Sequence, residues 1–326
     1  MKVNEILGRF PLRLALTDYC SLRCFFCSNE GMGLKWKNLR QIDLKSLKYL
    51  LDVTKKSGLT SVSLTGGEPS LYKDIDGLLS YLKDLKLGQT FFHTNGVGLT
   101  PTMIDKYLRY FTKVAVSIHA VDFQTWYRLT RGTNTQFSKL TKNLEHLSLY
   151  AKKNQLLVEI KVVPLRGIND SLKNYKQVLD FCSAHNFKFK FLNFEAITQD
   201  QTRYQINPQE NLDIIQAAGA EKLPPDNKFR GQRSYLPLNW FKYKNVKGVV
   251  IEIGCGQAEV CKECANSNEI FIDPNLEIKP CHMSKFSIPL RPFIEKRQEQ
   301  KILKALVKSR AFLSEKPGLG ATHWLN

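Results

Sequence analysis

The chain has 326 residues, 43% of them hydrophobic and 24% charged. That length holds one large α/β domain or two smaller ones, and the usage is ordinary globular, so disordered, collagen-like and coiled-coil readings are excluded. Lys plus Arg total 48 against 30 Asp plus Glu, a formal net charge of +18, which points to an anionic partner and is silent on fold.

The N-terminal stretch MKVNEILGRFPLRLALTDYC lacks the apolar core and small-residue cleavage site of a secretory signal. No run of about 18 apolar residues occurs. A soluble, cytoplasmic protein with no membrane partner is therefore expected. In that compartment clustered cysteines are more often metal ligands or catalysts than disulfides. The 8 cysteines divide into Cys20, Cys24 and Cys27 near the front, Cys182 alone, and Cys255, Cys261, Cys264 and Cys281 near the back.

Apolar, β-branched runs at 12–17, 61–65, 90–94, 114–118, 158–163 and 187–194 read as strands. Between them apolar residues recur at helical spacing, as in Leu44, Leu47, Leu50 and Leu51, or Leu78, Leu79, Leu82 and Leu85. Strands alternating with helices predict an α/β fold, a parallel sheet of βαβ units closed or partly closed into a barrel. Barrel chemistry collects in the loops after the strands, so functional motifs are expected directly behind these runs.

The first run leads into DYCSLRCFFCSNE, with cysteines spaced C-x3-C-x2-C. Three thiolates on one short loop can hold three corners of a [4Fe-4S] cluster and leave the fourth iron open; zinc in the same cysteines is the alternative. The second run ends in TGGEP, where Gly66 and Gly67 allow backbone close to a ligand and Glu68, before Pro69, offers a carboxylate to a cation. The third ends in His93, Thr94 and Asn95, the fourth in Ser117 and His119. Four successive strand ends thus aim polar or metal-binding groups at one mouth. His93 and His119 either touch ligand or serve structure, and Arg131 and Arg166 either hold an anion or are solvated. Lys190 and Asn193 have no settled direction, because the alternation with Phe187, Phe189 and Phe191 breaks at Phe194. His146 and His185 read as helix-surface residues, and Cys182 as a small buried apolar one.

The cysteine loop, with Phe26 just before its last cysteine, and TGGEP after the second strand together resemble the radical S-adenosylmethionine (SAM) superfamily. The resemblance implies a partial (β/α)6 barrel in which Cys20, Cys24 and Cys27 ligate a [4Fe-4S] cluster and SAM chelates the open iron. One electron, from an external reductant of the flavodoxin or ferredoxin type, splits SAM into methionine and a 5'-deoxyadenosyl radical that abstracts a substrate hydrogen. The implied SAM contacts are Phe26 at the adenine, Gly66, Gly67, Glu68 and Pro69 at the methionine end, and Thr94, Asn95 and Ser117 at the ribose or carboxylate.

Within that superfamily, LRLALTDYCSLRCFFCSNEG, SLTGGEPSLYKDI, HTNGVGL, VAVSIHAVDFQTWYRLTRGT and VVPLRGINDS follow in order the pattern of the GTP 3',8-cyclase (MoaA) family. There a C-x2-C and a later cysteine bind an auxiliary [4Fe-4S] cluster, and Cys261, Cys264 and Cys281 correspond. The segments EIFID and LEIKPC, around Pro274 and Asn275, read as a hairpin that returns Cys281 toward the earlier pair. Structural zinc is the alternative for these cysteines. Cys255 is either a further ligand, capping the cluster as in twitch and SPASM extensions, or a spectator. Several departures point to a relative of the cyclase rather than the cyclase itself. ANSNE, without arginine, follows the C-x2-C; the chain ends ATHWLN where the family has a Gly-Gly tail; and Glu159 aligns with a substrate-binding lysine, with Lys161 on the same face two residues on.

Residues 1–195 are expected to form the partial barrel, 196–245 a polar bridge with one short helix at 212–218, and 246–326 the small cysteine-rich auxiliary-cluster region. The expected function is a radical SAM enzyme that cyclises or rearranges a small anionic substrate, such as a nucleotide. The alternative is modification of a ribosomal peptide or RNA, with the auxiliary cluster in electron transfer. No leader-binding domain precedes the first strand and no stacked-aromatic RNA motif is visible, which favours the small substrate.

Overall fold

Six strands carry the architecture, each within two residues of its predicted run: β1 (Leu12–Ala15), β2 (Ser61–Thr65), β3 (Gln89–Thr94), β4 (Lys113–Ser117), β5 (Leu157–Val162) and β6 (Lys188–Leu192). In this computed structural model, which describes residues 2–28, 39–196, 198–224, 238–252, 269–282 and 284–315, the six pair in parallel and in chain order. Parallel neighbours require crossovers. These are α2 (Leu44–Lys56), α3 (Ile75–Leu85), α4 (Pro101–Tyr107), the pair α5 (Phe123–Thr130) and α6 (Asn134–Asn154), and α7 (Leu172–His185), after a short N-terminal α1 (Val3–Arg9). Local chemistry sets their ends. Asp43, Thr133 and Ser171 accept the backbone N–H groups of Ser46, Gln136 and Asn174 as N-caps. Left-handed Lys86, Arg131, Gln155 and Asn186 close four C-termini.

Strand alternation sorts the two faces of the sheet. Leu14, Leu64, Phe92, Val116, Ile160 and Phe191 are buried on one face, where Phe191 stacks at 4.7 Å on Tyr175 of α7. The register places Arg13, Ser63, Phe91 and Lys113, then His93, Ala115, Glu159 and Lys188, on the opposite face. That face is concave: Lys161 Nζ of β5 lies 2.7 Å from His93 Nδ1 of β3, across the intervening strand β4 at Ala115.

The barrel stays open, and later chain extends both of its edges. After α8 (Pro208–Ala217), which includes most of the predicted short helix, come β7 (Glu221–Leu223), β8 (Leu238–Tyr243) and β9 (Val246–Ile251). β9 pairs in parallel with β6, and β8 and β7 continue antiparallel. At the other edge β10 (Ile270–Ile272) pairs in parallel with β1, followed by antiparallel β11 (Glu277–Lys279) and β12 (Ile288–Pro289). β10 and β11 form the hairpin read in the sequence. Asp273 Oδ1 accepts from Asn275 N at 2.9 Å and Glu277 N at 3.0 Å, and Leu276 takes φ +62°. Helix Glu299–Glu315 packs back on α1. No helix among the described residues is long and apolar enough to cross a membrane.

Candidate active site

The cysteine loop and the Gly-Gly-Glu loop run side by side from the ends of β1 and β2. Leu16 N donates to Thr65 O (2.9 Å), Gly67 N to Thr17 O (2.7 Å) and Glu68 N to Tyr19 O (2.7 Å). The close approach that the two glycines permit is to the cysteine loop itself. A Cβ on Gly66, at φ +127°, would stand 2.4 Å from Thr17 O, and one on Gly67 would stand 2.2 Å from Tyr19 O. Buried Asp18 fixes the loop from below, accepting from Arg40 N at 2.6 Å and Arg40 Nε at 2.8 Å. Arg23 N to Thr130 O (2.8 Å), Gln136 Nε2 to Ser21 O (3.2 Å) and Gln201 Nε2 to Phe25 O (3.0 Å) hold it from the other sides.

Within that frame the three cysteines are neighbours. Cys20 Sγ accepts from Leu22 N at 3.4 Å and Asn95 Nδ2 at 3.5 Å. Burial first, then the Glu68 carboxylate and Cys27, push the Cys20 thiol up to about 12. Burial, then Cys27 and Cys20, push Cys24 well above the ordinary thiol value. Buried thiols like these two become thiolates together only when cationic metal compensates them. Among the described residues no three His, Cys, Asp or Glu side chains converge on a single-ion site. A four-iron cluster takes each of three thiolates on a different iron. The donor set therefore suits a [4Fe-4S] cluster.

Glu68 is fully buried and lies where the mouth loops meet. Its Oε1 accepts from Ser70 N (3.1 Å), Ser70 Oγ (2.7 Å) and Thr94 Oγ1 (2.7 Å), and its Oε2 from Asn95 N (2.6 Å). Burial raises its carboxyl pKa, and the four donors pull it the other way. The carboxylate that the sequence offers to a cation is thus committed to bracing TGGEP against the HTNG loop. Pro69 opens a 3₁₀ turn, Pro69–Leu71, directly behind it. Thr94 Oγ1 also accepts from Gly96 N at 2.9 Å, and Asn95 Oδ1 from Val97 N at 2.9 Å. Ser117 ends β4 half-buried, in register with Lys161.

Aromatic rings wall the mouth: Phe26 lies edge-on to His119 at 4.9 Å and to Phe194 at 6.2 Å, and Phe25 meets Tyr204 at 5.0 Å. His119 sits at φ +63°, and its Nδ1 accepts from Val163 N at 3.1 Å. Burial lowers it to about 4, so the ring is neutral and ties β4 to β5. Arg166 serves structure as well, forking onto Glu210 at 3.2 and 2.7 Å; Arg131 is the exposed C-cap of α5. His146 pairs with Asp105 at the surface, and Cys182 is fully buried, as read. Asn193 faces α8, where Asn211 Nδ2 donates to its Oδ1 at 2.8 Å. Cys281 follows β11 half-buried, whereas Cys255, Cys261 and Cys264 lie outside the described residues.

Below the mouth, the concave face holds Arg13, Lys113, Lys161, Lys188 and Lys190 against Glu159 alone among the described residues of β1 to β6. Arg13 binds Glu269 at 2.7 Å and Thr65 Oγ1 at 3.3 Å, and Lys113 lies 3.5 Å from Glu159. Sequence reasoning missed Glu195, just past β6, whose carboxyl burial raises to about 7. Its only signal was the broken alternation at Phe194.

The fold and the thiol-lined mouth define an enzyme of the parallel-barrel class, with its chemistry after the strands. Residues 14–182 match the Radical SAM superfamily, and the chain belongs to that family. Membership implies a [4Fe-4S] cluster and SAM. The chain is 26% identical to the GTP 3',8-cyclase of Clostridium acetobutylicum over 287 residues, covering 87% of this chain and 84% of that one. It is 22% identical to the GTP 3',8-cyclase of Stenotrophomonas maltophilia over 315 residues, 95% of this chain and 91% of the other. The structure of Streptococcus suis SuiB bound to precursor peptide SuiA shares the fold, with a TM-score of 0.65 at 18% identity, over 96% of this chain and 66% of that one.

Proposed function

We propose that this radical SAM enzyme acts on a small anionic substrate, of nucleotide type, and drives its cyclisation or rearrangement in the manner of the cyclases it resembles. The observation that carries the reading is the concave face under the cysteine mouth, where β1 to β6 place five cations, Arg13, Lys113, Lys161, Lys188 and Lys190, and the described carboxylates among them are Glu159, beside Lys113, and Glu269, bound to Arg13. Registered Lys161 and Lys190 stand on adjacent strands, where like charges repel and an anion between them is attracted.

Cys20, Cys24 and Cys27 would hold the first cluster, with Leu22 N and the Asn95 amide donating toward the Cys20 sulfur. When bound, cluster and SAM supply one-electron cleavage of SAM and abstraction of a substrate hydrogen atom. Phe26 would border the adenine; Gly66, Gly67, Glu68 and Pro69 would shape the methionine end; Thr94, Asn95 and Ser117 would line the ribose or carboxylate. The ring wall of Phe26, Phe194 and His119 would exclude water from the reacting carbon. Cys261, Cys264 and Cys281, with Cys255 as a fourth candidate, would hold the auxiliary cluster; the hairpin that ends at Cys281 is anchored through β10 on β1. The electron would come from a flavodoxin- or ferredoxin-type protein.

The test is hydrogen transfer. The reconstituted enzyme, given SAM, dithionite and deuterated nucleotides or phosphorylated metabolites, is expected to place deuterium in 5'-deoxyadenosine. Transfer from a peptide or RNA alone would overturn the reading. Iron analysis checks the second cluster: about eight irons per chain are expected, and about four with one zinc would remove it.

A further inference from the structure

One polar contact in the lumen joins three strands. His93 Nε2 is 2.9 Å from Ser63 Oγ of β2, and His93 Nδ1 is 2.7 Å from Lys161 Nζ of β5. An ammonium has only hydrogens to offer, so Nδ1 accepts and the ring proton sits on Nε2, facing Ser63. Two positive charges at that separation would repel strongly; the pair is therefore an ammonium and a neutral imidazole.

The contact depends on the strand it crosses. Ala115 of β4 is the register partner of both His93 and Glu159, and is buried. A longer side chain there would stand between ring and lysine. A lysine stem is a chain of rotatable bonds, and holding its head before a ligand arrives lowers the ordering cost of binding. Glu159, two residues earlier on the same strand and face, lies 3.5 Å from Lys113.

We propose that His93 is a positioning residue: braced by Ser63, it aims the Lys161 ammonium into the barrel, where that ammonium meets an anionic group of the substrate. The inference rests on the anionic-substrate reading above and adds to it the residue that sets its geometry. Ser63, His93 and Lys161 act as one unit in which only Lys161 touches the ligand.

Calorimetric titration of the reconstituted, SAM-loaded enzyme with inorganic pyrophosphate tests it. Lys161→Met and His93→Leu are each expected to weaken binding about tenfold or more, the scale of a lost charge-assisted hydrogen bond. His93→Gln, whose amide oxygen can still accept from the ammonium, is expected to recover most of that loss. Equal affinity in the parent and His93→Leu overturns the positioning role and leaves the anionic-substrate reading standing. Equal loss in His93→Leu and His93→Gln, with lowered melting temperatures in both, also overturns it, because the ring would then be packing alone. A parent that does not bind pyrophosphate overturns both.

Discussion

The mouth and the lumen of this barrel are built by different means. At the mouth, main chain meets main chain: Gly67 N and Glu68 N donate to Thr17 O and Tyr19 O, and a single buried carboxylate gathers four donors from two loops. In the lumen, side chains from strands far apart in sequence meet, as His93 does with Ser63 and Lys161. Main-chain packing demands particular residue types at fixed spacing, which suits a cofactor shared by a whole family. Side chains on a strand can change without disturbing the sheet, which suits a substrate particular to one member.

Perturbing the mouth should therefore cost far more than perturbing the lumen. Gly67→Ala forces a Cβ to within 2.2 Å of Tyr19 O. Overpacking costs about 1–3 kcal/mol, and a backbone obstacle places this case at the upper end; iron content after reconstitution is expected to fall along with the melting temperature. Wild-type iron in this variant would break the contrast. Glu68→Gln comes next. Its amide turns a donor toward groups that are themselves donors, at about 2 kcal/mol for the buried mismatch, read by chemical denaturation. Lys190→Met, in the lumen, is expected to leave iron content at the parent level and weaken pyrophosphate binding about tenfold; lost iron would show the two regions to be coupled.

The smallest effect concerns Glu195. Its carboxyl titrates at about 7 when folded against 4.5 ordinarily, so the folded state binds its proton more tightly. That contribution to stability is complete below about pH 4.5 and is lost as pH rises through about 7. Glu195→Gln should melt with the parent at pH 4 and above it at pH 8. Coincident melting at both values would contradict the buried carboxyl.

Much of the mouth was legible because apolar, β-branched runs located the strands and the loops followed them. What the sequence could not show was where the glycines make their close approach, since that depends on the cysteine loop lying alongside. Nor could it show the four donors of Glu68, which come from segments 70 and 94–95 and are assembled only by the folded chain. The hairpin at Asp273 was readable from local turn chemistry, but its docking on β1 pairs residues more than two hundred positions apart. His93 was visible as a mouth histidine and Lys161 as a lumen cation. Their meeting required the curvature of the sheet and the smallness of Ala115. Arg166 showed the converse, a cation at a strand end that braces α8 through Glu210.

The most direct measurement compares the reconstituted parent with Cys24→Ala for 5'-deoxyadenosine formed from SAM and dithionite under anaerobic conditions. The parent should form it, and the variant, with one corner of the three-thiolate loop removed, should form none. Cleavage retained in Cys24→Ala would contradict the assignment of this loop as the seat of the radical chemistry.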